Sequence, residues 1–477
     1  MQHDPAFHRA RSAIVLGGSL AGMLTAAALA DFAHVTVVER HTLPEGPEPR
    51  RGLPQARHAH QLWSGGAKAL ETLLPDTVDL LKAQGAHRQP VPTDMVILSP
   101  QGWFRRWRES HHTILCSRDL LDWAVRTQVR KRVRVTIREN TEALGLLGDG
   151  AAVTGVRVRR PDGTEDRLTA DLIVDATGRA SRASSWLQDL GLPTPQQRKV
   201  DSSLVYASRT FLAPAAVRAL GHFPVVNVQA DPRRAPGQGA VLLPIEDGRW
   251  IVTVFGTRGG EPVRDNDAFE TFALEKPRHP IVGRLIAHAE PLTDVSLTHA
   301  TANHRRYYER MRHWPEGFVV VGDALATYNP AYGHGMSAVA KSAVAMRDTI
   351  AERGWGTSGL ARRIQKAVAG PVNAAWLLAV GQDVFYPDAS EHGPTLGDRI
   401  AARYVDRLLY TATGNGRIAR RITDVTSLER PASVLGDPRV LVAAVAGPLK
   451  PRLDRPPLTD AELAAAGMST AVATTAD

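Results

Sequence analysis

The chain has 477 residues, 43% of them hydrophobic and 22% charged, enough for two buried cores and unlike a disordered or fibrous composition. Its formal net charge of +9 rests mostly on arginines scattered from Arg9 to Arg455 without a nucleic-acid motif, so a solvated basic surface is read and nucleic acid is excluded as a partner. Cys116 is the only cysteine, which excludes an intrachain disulfide and a cysteine-built zinc site and fits a reducing cytoplasm; with no run of 18 apolar residues and no apolar start, neither stable membrane insertion nor a signal peptide is expected.

In chain order, residues 1–11 read as a disordered N-terminus. Ser12 to Gly17 is a short apolar run ending in glycines, Leu20 to Ala30 an Ala-rich helix, and His34 to Val38 a second apolar run ending in Glu39-Arg40. Together they predict one βαβ unit with a buried parallel pair. Leu62 to Gln84 returns to a helical pattern, Met95 to Trp107 alternates as a sheet would, and Arg118 to Val129 reads as a helix capped by Ser117. Val133 to Ile137 and Val153 to Arg159 read as strands, and Leu172-Ile173-Val174 as a buried run. From Asp201 to Ala302, alternating stretches separated by Pro and Gly predict an antiparallel sheet. Phe318 to Val321 is a short buried strand, Gly335 to Arg353 a long helix, the remainder to about Leu463 mostly helical, and Ala464 to Asp477 a disordered tail.

Three motifs carry chemistry. Gly17-Gly18-Ser19-Leu20-Ala21-Gly22 lies between a strand and a helix, with Glu39 twenty-two residues after Gly17 at the end of the next strand. In that context backbone N–H groups and the helix N-terminus receive a pyrophosphate, while the carboxylate binds ribose hydroxyls. Gly17, Gly18, Leu20, Ala21, Gly22, Glu39 and Arg40 are therefore cofactor-binding candidates, although Ser19 stands where a second glycine is usual. The second motif is Asp171-Leu-Ile-Val-Asp175-Ala-Thr-Gly178-Arg179. The third is Val320-Val321-Gly322-Asp323-Ala324 followed by Asn329-Pro330-Ala331-Tyr332-Gly333-His334-Gly335-Met336.

In this order the three resemble the signature set of the FAD-dependent monooxygenases of the para-hydroxybenzoate hydroxylase fold. The resemblance implies an α/β protein with a Rossmann-like FAD-binding domain interleaved with a mostly antiparallel β-sheet substrate domain, plus a helical C-terminal region. The FAD-binding parts are expected at 12–90, 111–200 and 303–358, substrate-domain strands at 91–110, the substrate domain at 201–302, the helical region at 359–463 and the tail at 464–477. Gly322 and Asp323 would hold the ribityl hydroxyls, Arg118 the phosphate region, and Gly333, Gly335 and Met336 would bring a positive helix end to the pyrimidine side of the ring. Arg51 is a further candidate for the pyrophosphate.

The stretch from Arg51 through Arg57-His58-Ala59-His60-Gln61-Leu62-Trp63 to Gly66, with Gly102-Trp103 and Pro244 to Val254, is similar to the epoxidases of polyether ionophore pathways, such as those of monensin and lasalocid. That likeness runs from about Ser12 to Pro457 and includes Ser19. It implies transfer of one oxygen from a C4a-hydroperoxyflavin to alkenes of an apolar polyketide polyene in antibiotic biosynthesis, inside a dry, elongated cavity. The flavin then carries the chemistry, and no catalytic triad is needed. His58 and His60 are the candidate catalytic residues, able to hydrogen-bond the cofactor or the peroxide, with a structural role equally open; a metal site is rejected for want of a third ligand. FAD is the cofactor, and because no second dinucleotide fingerprint is present, NAD(P)H is expected to act through a separate flavin reductase.

His111-His112, Cys116 and Glu246-Asp247 lack a partner arrangement and are read as structural. Trp63, Trp103, Phe104 and Trp107 are read as core, with one or more lining the cavity. Two alternatives stay open: an aromatic hydroxylase, which needs a base or relay such as Tyr206, Tyr328 or Tyr332, and a redox-silent FAD-containing cyclase. A flavin halogenase is set aside because its Trp-x-Trp-x-Ile-Pro segment and catalytic lysine are not found.

Overall fold

The computed structural model describes residues 11–299 and 301–469; residues 1–10 of the expected N-terminal tail lie outside them. The strand Ser12–Leu16 is buried along all but its first residue, and a run with no polar face needs cover on both sides. It occupies the centre of a five-stranded parallel sheet ordered Phe318–Val320, Leu172–Asp175, Ser12–Leu16, His34–Val38, Val135–Arg138. The helix Leu20–Ala30 lies against this sheet with only Ala21 less than fully buried, and its small side chains admit a second layer, the helix Gly335–Arg353, on its other side. That second helix also meets Ser64–Leu73 closely: a Cβ on Gly66 would stand 2.6 Å from Ser337 Cα.

One helix expectation is corrected. Between Leu62 and Gln84 the chain first forms the strand Gln61–Trp63, and the helix then divides into Ser64–Leu73 and Thr77–Ala83. Pro75 sits at the break, where it cannot donate to the helical ladder, and Asp76 follows at φ +66°.

The second large sheet is built by period-two alternation. Its strands run in the order Glu290–Pro291, Val205–Leu212, Arg249–Gly256, Gln238–Ile245, Val225–Val228, Met95–Ser99, Gly102–Trp103, with Ser296–Thr298 paired beside Val205–Leu212. All pairs are antiparallel except Val225–Val228 with Met95–Ser99. One face sends Val96, Val226, Leu242 and Val252 into a core with the helices Asn266–Glu275 and Ile281–Ile286. The opposite face carries their neighbours Met95, Val225, Leu243 and Ile251, as the pleat requires. The sheet pattern expected to continue to Trp107 ends at Trp103, and Phe104 to Trp107 is irregular chain.

The C-terminal helices divide among three neighbours. Leu360–Asp383 packs on Gly335–Arg353 within the main core. Leu396–Ala412, Gly416–Thr426 and Pro438–Ala446 share a small core of their own, against which Phe104 and Trp107 pack. Asp460–Ala465 places Leu463 on the second sheet's core, joined by Ala466 and Met468. That packing corrects the expected start of a disordered tail at Ala464; residues 470–477 lie outside the described part. Among the described residues no helix is long and apolar enough to cross a membrane.

Candidate active site

The glycine turn is shaped by two close approaches. Gly17 leaves the first strand at φ +99°, donates its N–H to Val38 O at 2.8 Å, and a Cβ there would stand 2.6 Å from Ala176 O. At Gly22 a Cβ would stand 1.7 Å from Gly17 O, so only glycine lets the first turn of the helix rest on the strand end. The helix N-terminus has no acidic residue in its first turn and no side-chain cap, which leaves its N–H donors for an anion.

Glu39 joins this turn to the second strand. It is 4% exposed and accepts from Gly18 N–H at 2.7 Å and from His41 N–H at 3.0 Å. Arg50 pairs with Glu39 at 3.0 Å and donates to Gly18 O at 2.8 Å. The expected Arg51 is exposed, as is Arg40, whose guanidinium lies near Gly52. Arg50 is thus the arginine that reaches the motif, and adjacency in the Arg50-Arg51 pair gave no means of choosing between them.

Arg118 opens its helix from the Ser117 cap, whose hydroxyl accepts from Leu120 N–H, while Glu246 accepts from Ser117 N–H at 2.9 Å. The guanidinium is buried, held by Asp122 at 2.8 Å, and reaches Ser19 Oγ at 3.4 Å. Gly322, at φ +62°, comes so close to Ala21 that a Cβ would stand 2.7 Å from the alanine Cβ, while Leu20 is buried in the core beneath. Asp323 follows with its side chain 37% exposed and Arg179 at 3.7 Å. Partial desolvation raises its carboxyl above the ordinary range, opposed by Arg179 and Arg118. Asp175 orders the turn carrying Arg179 by accepting from Thr177 and Ser181. A glycine cradle, two buried guanidiniums and two carboxylates in this order fit the phosphates and the sugar hydroxyls of a dinucleotide.

The loop before the helix Gly335–Arg353 is fixed from behind. Asp383, 1% exposed, accepts from Asn303 at 2.7 Å, Asn329 at 2.8 Å and the Tyr332 hydroxyl at 2.7 Å. Gly333 turns at φ +67° against Gln61, and a Cβ on it would stand 2.8 Å from Gln61 Nε2. His334 precedes the helix, approaches Thr426 O at 3.0 Å through Nε2 and stacks on Trp63 at 6.1 Å. Burial lowers its pKa to about 4. Gly335 has only an ordinary contact to Tyr328, and Met336 is buried in the core.

Beside this loop opens an apolar cavity whose floor is the free face of the second sheet, including Met95, Val225, Val241, Leu243 and Phe255. Its walls come from Trp63, Tyr206, His334, Phe104 and Trp107, and Leu409, Ala419 and Ile422 of the C-terminal helices close over it. Trp63, Phe104 and Trp107 therefore line the cavity, while Trp103 lies in the opposite core against His279.

His58 also faces the cavity. Its Nδ1 lies 2.8 Å from Ser208 Oγ, which lies 2.6 Å from Thr253 Oγ1, and its ring meets Tyr206 edge-on at 4.2 Å. Burial, aided by His60 and Arg57, lowers its pKa to about 3. His60 approaches His58 O at 2.8 Å, and burial with the Arg118 charge lowers it to about 4. Both rings are neutral near pH 7. Among the described residues no group of three His, Cys, Asp or Glu could hold a metal. His111, read as structural, pairs with Asp424 at 3.2 Å and ties the strand His111–Leu115 to the C-terminal helices.

A family model described as FAD binding domain matches residues 11–363. Protein Rv3254 of Mycobacterium tuberculosis is 31% identical over 396 residues, 80% of this chain and 82% of its own length. The p-nitrophenol 4-monooxygenase PnpA of Pseudomonas putida shares the fold at 17% identity and a TM-score of 0.59, over 88% of this chain and 98% of its own. The myxobacterial chondrochloren halogenase CndH does so at 16% identity and 0.60, over 88% and 97%. The glycine cradle, the Glu39 and Asp323 carboxylates and the matched length agree: the chain belongs to the FAD-binding-domain family and has the para-hydroxybenzoate hydroxylase fold.

Proposed function

We propose that this protein is a flavin-dependent epoxidase that transfers one oxygen atom of dioxygen to alkenes of an apolar polyketide polyene, in the manner of polyether biosynthesis. The observation that carries the reading is the cavity: an apolar chamber bordered by the Tyr332-Gly333-His334 loop, with no carboxylate among its described lining residues. Hydroxylating a phenol calls for a base near its hydroxyl. His58 and His334, with pKa values of about 3 and 4, are too weak for that task, and the Tyr332 hydroxyl is committed to Asp383. An alkene needs no base, because its π electrons are the nucleophile.

FAD, when bound and reduced, supplies the activation of dioxygen. The chain's residues do the rest. The Gly17–Gly22 turn, Glu39, Arg50 and Arg118 hold the dinucleotide, and Asp323 holds its polyol. The start of the Gly335–Arg353 helix favours negative charge on the ring by about 0.3–1 kcal/mol. Asp383 keeps the Asn329–Gly333 loop in place, and the cap of Leu409, Ala419 and Ile422 excludes water from the alkene. Neutral His58, on the Ser208–Thr253 hydroxyl chain, is placed to orient the bound chain by hydrogen bonding. Electrons come from NAD(P)H through a separate flavin reductase, since the sequence has one dinucleotide fingerprint.

The test is turnover of a linear polyene with trisubstituted alkenes, with and without oxygen, using FAD, NADPH and an added flavin reductase. Oxygen consumption equal to product formed supports the epoxidase. Equal turnover under nitrogen with oxidised flavin overturns it in favour of a cyclase.

A further inference from the structure

The cavity is apolar, yet one of its walls carries a guanidinium. Among the described lining residues Arg105 alone is an Arg, Lys, Asp or Glu. Its Nη2 donates to Pro451 O, and its Nε–H is buried without an acceptor. Two residues on, Trp107 also lines the cavity, with its indole N–H closed off from it. The Trp107 ring is fixed in place: Lys450 lies 5.3 Å from its centroid, and a Cβ on Gly416 would stand 3.0 Å from it.

The neighbouring Arg106 behaves differently. It is paired with both Asp94, at 3.0 Å, and Glu462, at 2.6 Å, and is consumed in tying the chain's end to the second sheet. No carboxylate pairs with Arg105 among the described residues. A guanidinium with no carboxylate partner on an apolar wall is a good receptor for a carboxylate, because charge-assisted hydrogen bonds are stronger than neutral ones.

We propose that Arg105 forms a carboxylate subsite where the cavity meets the C-terminal segment, so that the substrate is an unsaturated apolar chain ending in a free acid. This rests on reading the cavity as the substrate site. The acid end anchors at the irregular segment Phe104 to Trp107, and the chain extends along the sheet floor toward the Tyr332–His334 loop. A chain delivered as a thioester on a carrier would present a neutral carbonyl and would forgo the charge term.

The experiment measures binding, not turnover, so that it is independent of the oxygenation reading. Oxidised FAD-loaded protein under nitrogen is titrated by calorimetry with arachidonate and with methyl arachidonate, the ester standing in for a thioester carbonyl. The acid is expected to bind about tenfold more tightly than the ester. Arg105→Gln abolishes that preference while leaving ester affinity within about twofold, and Arg105→Lys, which keeps the charge, restores part of it. Equal affinities for acid and ester in the unmodified protein overturn the subsite. So does binding of neither probe, or an equal loss of both in Arg105→Gln. If the preference is found but no product takes up oxygen, the epoxidase reading falls and the subsite stands.

Discussion

The cofactor groove and the cavity lie side by side and are built on opposite principles. In the groove, polar groups answer one another: Glu39 serves Gly18, His41 and Arg50, Arg118 serves Asp122 and Ser19, and glycines bring backbones into contact. In the cavity, apolar side chains from the second sheet, the Phe104–Trp107 segment and the C-terminal helices meet, with Arg105 the one charged residue among the described lining residues. A site made for one invariant ligand can settle its geometry in the backbone, whereas an apolar cavity is shaped by side chains that distant elements bring together.

The largest effect expected from breaking this contrast is at Gly22. A valine there must displace Gly17 O, so Gly22→Val should cost about 3 kcal/mol and yield flavin-free or insoluble protein, read by flavin absorbance per chain and thermal melting. Flavin content near the native value would show that the turn is not the cradle.

Next come the carboxylates. Asp323→Ala and Glu39→Ala should each weaken FAD binding by roughly tenfold or more, as removal of a charged hydrogen-bond partner does. Glu39→Ala also leaves the Arg50 guanidinium buried without its ion pair. Equilibrium dialysis against FAD measures both, and unchanged retention in both would contradict the cofactor assignment.

A substitution on the other side of the comparison sharpens it. Val241→Phe intrudes on the cavity floor and should raise KM for the polyene by about tenfold, as overpacking of 1–3 kcal/mol implies, while FAD affinity stays unchanged. Loss of both together would mean that cavity and groove are not separable.

The last effect is a pH dependence of stability. Burial lowers His58, His279 and His334 below the ordinary 6.5, so the unfolded chain takes up protons that the folded one refuses. Their contribution is complete above pH 6.5 and is lost as pH falls from 6.5 toward about 4. Urea unfolding at pH 7 and pH 5 should show that loss, with a shallower drop in His334→Asn. An identical drop in the variant would show that this ring does not titrate on unfolding.

The same division explains what could be read from the sequence. Gly17 to Gly22 with Glu39 is legible because backbone geometry confines glycine and carboxylate to fixed spacings, whereas Gly322-Asp323 and Gly333 to Met336 take their roles from the family resemblance alone. The alternation of Val225, Val241 and Leu243 against Val226, Leu242 and Val252 gave the second sheet but not which face would be left open. That depended on the C-terminal helices crossing over it, a long-range contact with no local signature. Arg50, Asp383 and Arg105 went unseen for the same reason: their roles come from partners at Gly18, Asn329 and the cavity that no short spacing records. Pro75, by contrast, was a local signal that marked the break in the Leu62 to Gln84 helix.

The most direct measurement is turnover under isotopically labelled dioxygen with FAD, NADPH, a flavin reductase and an unsaturated acid carrying trisubstituted alkenes, with products read by mass spectrometry. The account predicts one labelled oxygen atom per alkene oxidised, found in an epoxide or in the ether formed when it opens. An unlabelled isomer of the substrate, formed equally well without oxygen, would contradict it and make the flavin a structural support for a cyclase.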